Sequence, residues 1–384
     1  MTMSVLAVTG CSSSGPAKDN AESPSPTPTP TPISVKTAHA ASGNVAFGKP
    51  VTLKASEGSI KSMSVTGPHG KDIKGTVAQG GKAWRSAGPI KPAGTWKWTA
   101  TGTNGTRTKG RVSATKAKSK EHATVNIGRD ETVGIAAPVI VNFQANVKDK
   151  ANLERHMTVR MRPHGSHGAW KKASGSWAWM YAAPGTEKAH FRPKKFWPAH
   201  TDVRVDLPLG TLDWGGGMTG RTDITMRFTI GRSQIVKADA KKHNIVVYRD
   251  GKKVHTYPAS YGMDSVKDRN TRSGIHVVTE KYKVKRMTSE RWGYDLKERW
   301  AVRINNNGEF IHANPATTGD QGSRNVSHGC INLSTANARA YYSTAIYGDP
   351  VVVTGTKTQL SDSLTELYDW ALSWQKWKSL SALN

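Results

Sequence analysis

The stretch of this chain best equipped for chemistry is Ile311-His312-Ala313, followed after a loop by Ser327-His328-Gly329-Cys330-Ile331-Asn332. The sequence has only two cysteines, Cys11 and Cys330, in contexts too different for a disulfide, and too few for a disulfide scaffold or a thiolate-rich zinc site. Cys330 is therefore a lone thiol in the folded part. A free thiol with a pKa near ~8.5 is only a few per cent thiolate at neutral pH, so a reactive one needs an activator. An imidazole at hydrogen-bond distance can take that proton and later return it to a leaving amine. His312 ends a predicted strand, and the loop Asn314 to Val326 lets the chain turn back toward Cys330. Gly329 beside the thiol admits backbone N–H groups to an oxyanion, as acyl transfer demands. On these features alone a cysteine acyl-transfer site competes with a buried structural cysteine beside a satisfied histidine.

The elements that would position these residues begin near residue 233. Two hairpins are predicted, one turning at Asp250-Gly251 and one at Asn307-Gly308. Ser334 to about Tyr342 reads as a short helix with a serine N-cap, and Val351-Val352-Val353 as a buried strand. Upstream, residues 45–118 show short alternating runs such as Thr95-Trp96-Lys97-Trp98-Thr99, which points two tryptophans to one face and predicts a β-sandwich. A second β-rich block, 119–232, carries Gly134 to Phe143, Trp170, Trp177, Trp179 and Trp197; core packing is the expected fate of these tryptophans, with sugar stacking the lesser reading. His164 and His167 share a loop there without a further ligand nearby, so no metal is expected, and no cofactor.

The ends differ in kind. Residues 12–44 form a Pro-rich linker whose Ser23 to Pro32 run favours polyproline II and would tether a globular body. Val8-Thr9-Gly10-Cys11 resembles a bacterial lipobox, which makes Cys11 a lipidation site; the basic region and long apolar core that usually precede it are missing, so residues 1–11 read as a truncated signal peptide. From 356 to 384, Leu360, Leu364, Leu367, Ala371 and Trp374 recur at helical spacing, predicting an amphipathic helix docked on the body, with a membrane or glycan contact through Trp370, Trp374 and Trp377 as the minority reading. Lys and Arg outnumber Asp and Glu by 55 to 28, and the resulting +27 field attracts polyanions. No zinc finger, helix-turn-helix or dense basic run accompanies it, which argues against nucleic acid and leaves acidic lipid or anionic wall polymers.

His312, fourteen intervening residues and then Ser-His-Gly-Cys-Ile-Asn resembles the signature of the L,D-transpeptidases, also called the YkuD family. Tyr261-Gly262-Met263 and Thr271 to His276 are similar to the family's segment before the active-site flap, and Met287-Thr288 with Gly293-Tyr294 to the flap itself. The two upstream sandwiches resemble the paired immunoglobulin-like domains of its actinobacterial lipoprotein members.

The resemblance implies a mainly β chain: immunoglobulin-like domains at 45–118 and 119–232, a β-rich catalytic domain at 233–355 and a helical tail. It implies an extracytoplasmic, lipid-anchored enzyme facing the cell wall, with peptidoglycan stem peptides as donor and acceptor. Cys330 would be the nucleophile, His312 the base, amides around Ser327, His328, Gly329 and Cys330 the oxyanion hole, and Tyr294, Asn307, Gly308 and Asn332 substrate contacts. The reaction implied forms 3→3 cross-links through a cysteine acyl-enzyme, with release of D-Ala, and exposes the thiol to carbapenems. Ala313 and Ala316 depart from the Ser or Gly and the Trp often found at those positions; the first change is neutral if that residue orients the imidazole through its carbonyl, while the second would widen the cleft or alter donor preference. His328 is the alternative base. The competing functions are an L,D-carboxypeptidase with water as acceptor and a non-catalytic wall-binding lipoprotein.

Overall fold

The structure is a computed structural model that describes residues 30–37, 44–361 and 368–384. Cys11, residues 1–29 and the tail leucines Leu364 and Leu367 lie outside the described residues. Strands dominate, as the alternating runs predict. No helix among the described residues is long and apolar enough to cross a membrane.

The first sandwich packs two four-stranded sheets face to face. One orders Ser34–Thr37, Pro50–Glu57, Ala83–Pro89 and Gly75–Val77; the other Asn44–Val45, Arg107–Ala114, Thr95–Gly102 and Ile60–Thr66. Along Thr95–Gly102 the inward positions are Trp96, Trp98 and Ala100, meeting Leu53 and Trp84 from the facing sheet. The linker expected over 12–44 ends earlier than its composition implies. Ile33 is buried in this core, and Ser34–Thr37 pairs antiparallel with Pro50–Glu57. Beyond Pro32 the chain regains donor N–H groups and an apolar alternation, so an edge strand becomes possible.

The second sandwich sets Ala123–Val125, Val139–Phe143, Thr186–Pro193 and Gly175–Ala183 against a five-stranded sheet in which Thr201–Leu207 is central. Trp177, Trp179, Trp197 and Trp214 are all in its core, with Phe143 stacked on Trp179 at 5.4 Å. Trp170 alone of those singled out lies near the surface, beneath the Arg162 guanidinium at 4.4 Å. His164 Nδ1 donates to Asp202 Oδ1 at 2.6 Å.

The third unit has a six-stranded sheet ordered Lys252–Pro258, Asn244–Arg249, Gln234–Asp239, Pro350–Thr354, Arg272–Val277, Thr358–Gln359. A four-stranded sheet, Glu280–Ser289, Tyr294–Arg303, Phe310–Ala313 and Ile331–Leu333, packs against it. Asp250 and Gly251 both take positive φ at the predicted hairpin. Ser334 accepts from the Asn337 amide to cap the helix Thr335–Thr344, and Pro350–Thr354 is the buried strand expected. The turn at Asn307-Gly308 is wider than a two-residue loop, because Asn305 Oδ1 accepts from the Asn307 and Glu309 amides and pairing resumes only at Arg303 and Phe310.

The expected C-terminal helix is present at Trp374–Ser379, but it does not reach back to Leu360: Thr358–Gln359 extends the six-stranded sheet beside Arg272–Val277, with the Leu360 amide donating to the Ser273 carbonyl. An open sheet edge and an apolar sandwich face compete for these side chains, and both contacts are nonlocal, so the periodicity misleads. The expected docking holds: Trp377 is fully buried against Ala178 and Met180 and donates to the Ser176 carbonyl. Asp369 pairs with His190 at 3.0 Å with both side chains out of solvent, and Arg192 lies over the rings of Trp370, Trp374 and Trp377. Trp370 donates to the Ala136 carbonyl, where the second sandwich meets the third unit.

Candidate active site

Phe310–Ala313 and Ile331–Leu333 run parallel, with His312 opposite Asn332. A parallel pair needs a long crossover, and the loop from 314 to 330 is that crossover. The register therefore delivers Cys330, one residue before its strand, to the side of His312. The loop is held from behind. Arg269 Nε donates to the Ser327 carbonyl at 3.1 Å, Thr271 Oγ1 to the Gly329 carbonyl at 2.9 Å, and Asn325 bridges the Ala240 carbonyl and Asp264. Gly262 permits this clamp, since a Cβ there would sit 1.9 Å from the Arg269 carbonyl oxygen. A Cβ at Gly329 would meet only ordinary van der Waals contacts, the nearest at 3.8 Å, but the residue takes φ +125°, a conformation that disfavours any side chain.

His312 is buried, and its Nδ1 lies 2.9 Å from the Ala313 carbonyl. A carbonyl only accepts, so Nδ1 carries a proton and Nε2 is left for the thiol. Glu298 Oε2 lies 3.4 Å from the same Nδ1, its side chain 12% exposed. Burial opposes a charge on the ring, but the hydrogen bonds and negative charges of Cys330 and Glu298 outweigh it and push the imidazole up to about 10. His328, the alternative base, points elsewhere. It is exposed, packs against Tyr294 and Trp292 with ring centroids 5.1 and 5.6 Å away, and is shifted down by partial burial and by Arg269.

Tyr294, His312, Ser327, His328, Cys330 and Asn332 line one cleft of about 180 Å³, joined by Met287, Leu296 and Glu298. Gly308 borders it, its carbonyl 3.7 Å from Cys330 Sγ, and Asn307 precedes it in the same turn. Both amide atoms of Asn307 and Oδ1 of Asn332 are buried without a partner, a condition a bound polar ligand would relieve. The Gly329 amide donates to Ser327 Oγ at 3.1 Å, while that hydroxyl donates to the Cys330 carbonyl at 2.6 Å, so the serine closes the turn on itself. Among the described residues no cluster of His, Cys, Asp and Glu is placed to hold a metal.

Sequence reasoning missed Glu298, Arg269 and Thr271 as parts of this site. Glu298 sits in Tyr294-Asp-Leu-Lys-Glu-Arg-Trp300, a charged strand with no local signal; only the strand register shows that it reaches His312. Thr271 opens the similar segment Thr271 to His276 and Arg269 lies just before it, but nothing in the local sequence marks them as a clamp.

The L,D-transpeptidase catalytic domain family matches residues 233–353, and the bacterial Ig domain family matches residues 42–213. L,D-transpeptidase 5 of Mycobacterium tuberculosis is 40% identical, covering 87% of this chain and 73% of its own. Among solved structures, an L,D-transpeptidase from Mycobacterium smegmatis is 29% identical over 61% of this chain and 99% of its own, with a TM-score of 0.48. An L,D-transpeptidase solved in complex with imipenem gives 29%, the same coverages and a TM-score of 0.49.

Proposed function

This chain belongs to the L,D-transpeptidase family, and from that premise we propose that it is a cysteine acyltransferase forming 3→3 cross-links between peptidoglycan stem peptides. The observation that carries the reading is the parallel register that sets the buried, doubly supported His312 beside Cys330. His312 takes the thiol proton. Cys330 Sγ attacks the carbonyl between the third residue of a tetrapeptide donor, a diamino acid, and its terminal D-Ala. The oxyanion formed draws on the His328 and Cys330 amides, because the Gly329 amide is engaged by Ser327. His312 returns its proton to the departing D-Ala nitrogen, leaving a thioester. The side-chain amine of a second stem attacks that thioester, gives up its proton to His312, and the thiolate is released with the new amide bond formed.

Tyr294, Asn307, Gly308 and Asn332 would contact the donor; the unpartnered amide atoms of Asn307 and Asn332 support this. The protein would act outside the cytoplasm, anchored through lipid on Cys11, with its positive field drawing it to anionic wall polymers. The deciding experiment is intact-protein mass spectrometry with a disaccharide-tetrapeptide. A thioester on Cys330 with cross-linked dimer and free D-Ala is expected. Free D-Ala with tripeptide and no dimer would make the protein an L,D-carboxypeptidase; neither adduct nor turnover from folded protein with a titratable thiol would leave a wall-binding lipoprotein.

A further inference from the structure

His312 has two supports on one nitrogen, and only one of them is needed to aim the ring. The Ala313 carbonyl, at 2.9 Å, already fixes the imidazole's orientation and its Nδ1 proton. Glu298 Oε2, at 3.4 Å from the same atom, is farther and less well placed as a hydrogen-bond acceptor, but it carries a full charge that a carbonyl lacks. We propose that Glu298 is a positioning residue whose carboxylate holds His312 as the imidazolium and thereby holds Cys330 as the thiolate before substrate arrives. This rests on reading Cys330 and His312 as nucleophile and base.

A carboxylate 12% exposed needs a charged or donating partner, and His312 is the ionisable group facing it. The other candidates are otherwise disposed. Lys285, the cross-strand partner of Glu298, lies with its ammonium over the Tyr282 ring at 4.4 Å. Arg299, next along the strand, pairs in register with Val284 and Ala313. On the other side of His312 stand Cys330 and the neutral Asn332, and beyond them Tyr294, whose phenol is pushed up by burial and by Cys330, and His328, which faces Arg269. Two negative groups thus flank one ring. An opposite charge at this range favours the charged form by about 1–3 pH units, so removing Glu298 moves the imidazole downward. The proton then returns to Sγ, and a thiol with a neutral histidine replaces the ion pair. The ring stays aimed because Ala313 still holds it.

The test needs no peptidoglycan, so its failure is distinguishable from failure of the cross-linking assignment. Full-length protein is alkylated with iodoacetamide over a pH series, with the Cys330-containing peptide read by mass spectrometry and His312 titrated by NMR. Glu298→Gln keeps shape and acceptor while removing charge. It is expected to lower alkylation at pH 7 by about tenfold and to lower the pH at which His312 loses its proton by about one unit or more. Glu298→Asp, which keeps the charge on a shorter stem, is expected to recover part of both. An unchanged His312 titration in folded Glu298→Gln overturns the proposal, even if alkylation slows, since a slower rate at every pH marks mere distortion. If Glu298→Gln does not fold, an Asp variant indistinguishable from wild type supports the charge, and one titrating as a free histidine overturns it.

Discussion

Two buried histidines of this chain each meet a carboxylate, and they do opposite things. His190 Nδ1 sits 3.0 Å from Asp369 with both side chains out of solvent, His190 Nε2 faces no partner, and Arg192 and three tryptophans close the surroundings. His312 meets Glu298 at 3.4 Å, but its other face is turned to a thiol in an open cleft. The chemical pairs are nearly alike. What separates them is what the second nitrogen sees: enclosed protein in one case, a thiol and solvent in the other. A buried histidine–carboxylate pair sealed on every side can only hold elements together, whereas one left open can move a proton.

The most decisive way to break the comparison is at the thiol. Cys330→Ala is expected to abolish both cross-linking and carbapenem acylation, read by intact mass; full labelling of that variant would sink the assignment. Next, His312→Ala is expected to slow acylation roughly 10²–10⁴-fold, the span of general base catalysis, in stopped-flow or quench assays. An unchanged rate would transfer the role to His328. On the other histidine the effect falls on stability. Asp369→Ala leaves a buried His190 and Arg192 without their acid and is expected to cost about 3–5 kcal/mol in denaturant unfolding, while Cys330 alkylation stays at the wild-type rate. Equal loss of both would mean that the tail supports the cleft. The smallest effect is expected from His328→Ala: a change within about one order of magnitude in acylation, since His328 packs on Tyr294 but is not the proton acceptor.

Sign matters for the pH dependence. The pKa of His312 is raised on folding, so its contribution to stability is fully present below its unfolded value and is lost as pH rises through about 10. Thermal unfolding followed from pH 7 to 10.5 is expected to show that loss, and Glu298→Gln to bring it to lower pH. A wild-type stability flat over that interval would contradict the raised value.

Much of the frame was legible because its signals are local. Asp250-Gly251 demands positive φ, Ser334 caps its own helix, and Thr95–Gly102 alternates with its core face. Cys330 and His312 stood out as a spaced motif and through a resemblance. Contacts set by register between distant strands were not. Glu298 acquires meaning only when Tyr294–Arg303 pairs with Phe310–Ala313, and Ser327 claims the Gly329 amide through a turn that composition does not announce. The tail was legible as a docked C-terminal helix, found at Trp374–Ser379, but Leu360 leaves that pattern because it is decided by the Ser273 carbonyl of a distant strand, at an edge no window of sequence contains.

The docked tail has a mechanical consequence. The chain enters the third unit from the second sandwich near Ile230 and, after leaving it, comes back to that same sandwich at Trp370, Trp377 and the Glu154 contacts of Ser381 and Ala382. A body joined to its support by one covalent strand can swivel; one fastened at both ends of its own chain loses that rotational freedom. The direction in which the cleft opens is thereby fixed relative to the sandwich beneath it, as a window is fixed by being hung on two sides. Reorientation of the cleft relative to the first sandwich then falls to the joint between the two sandwiches.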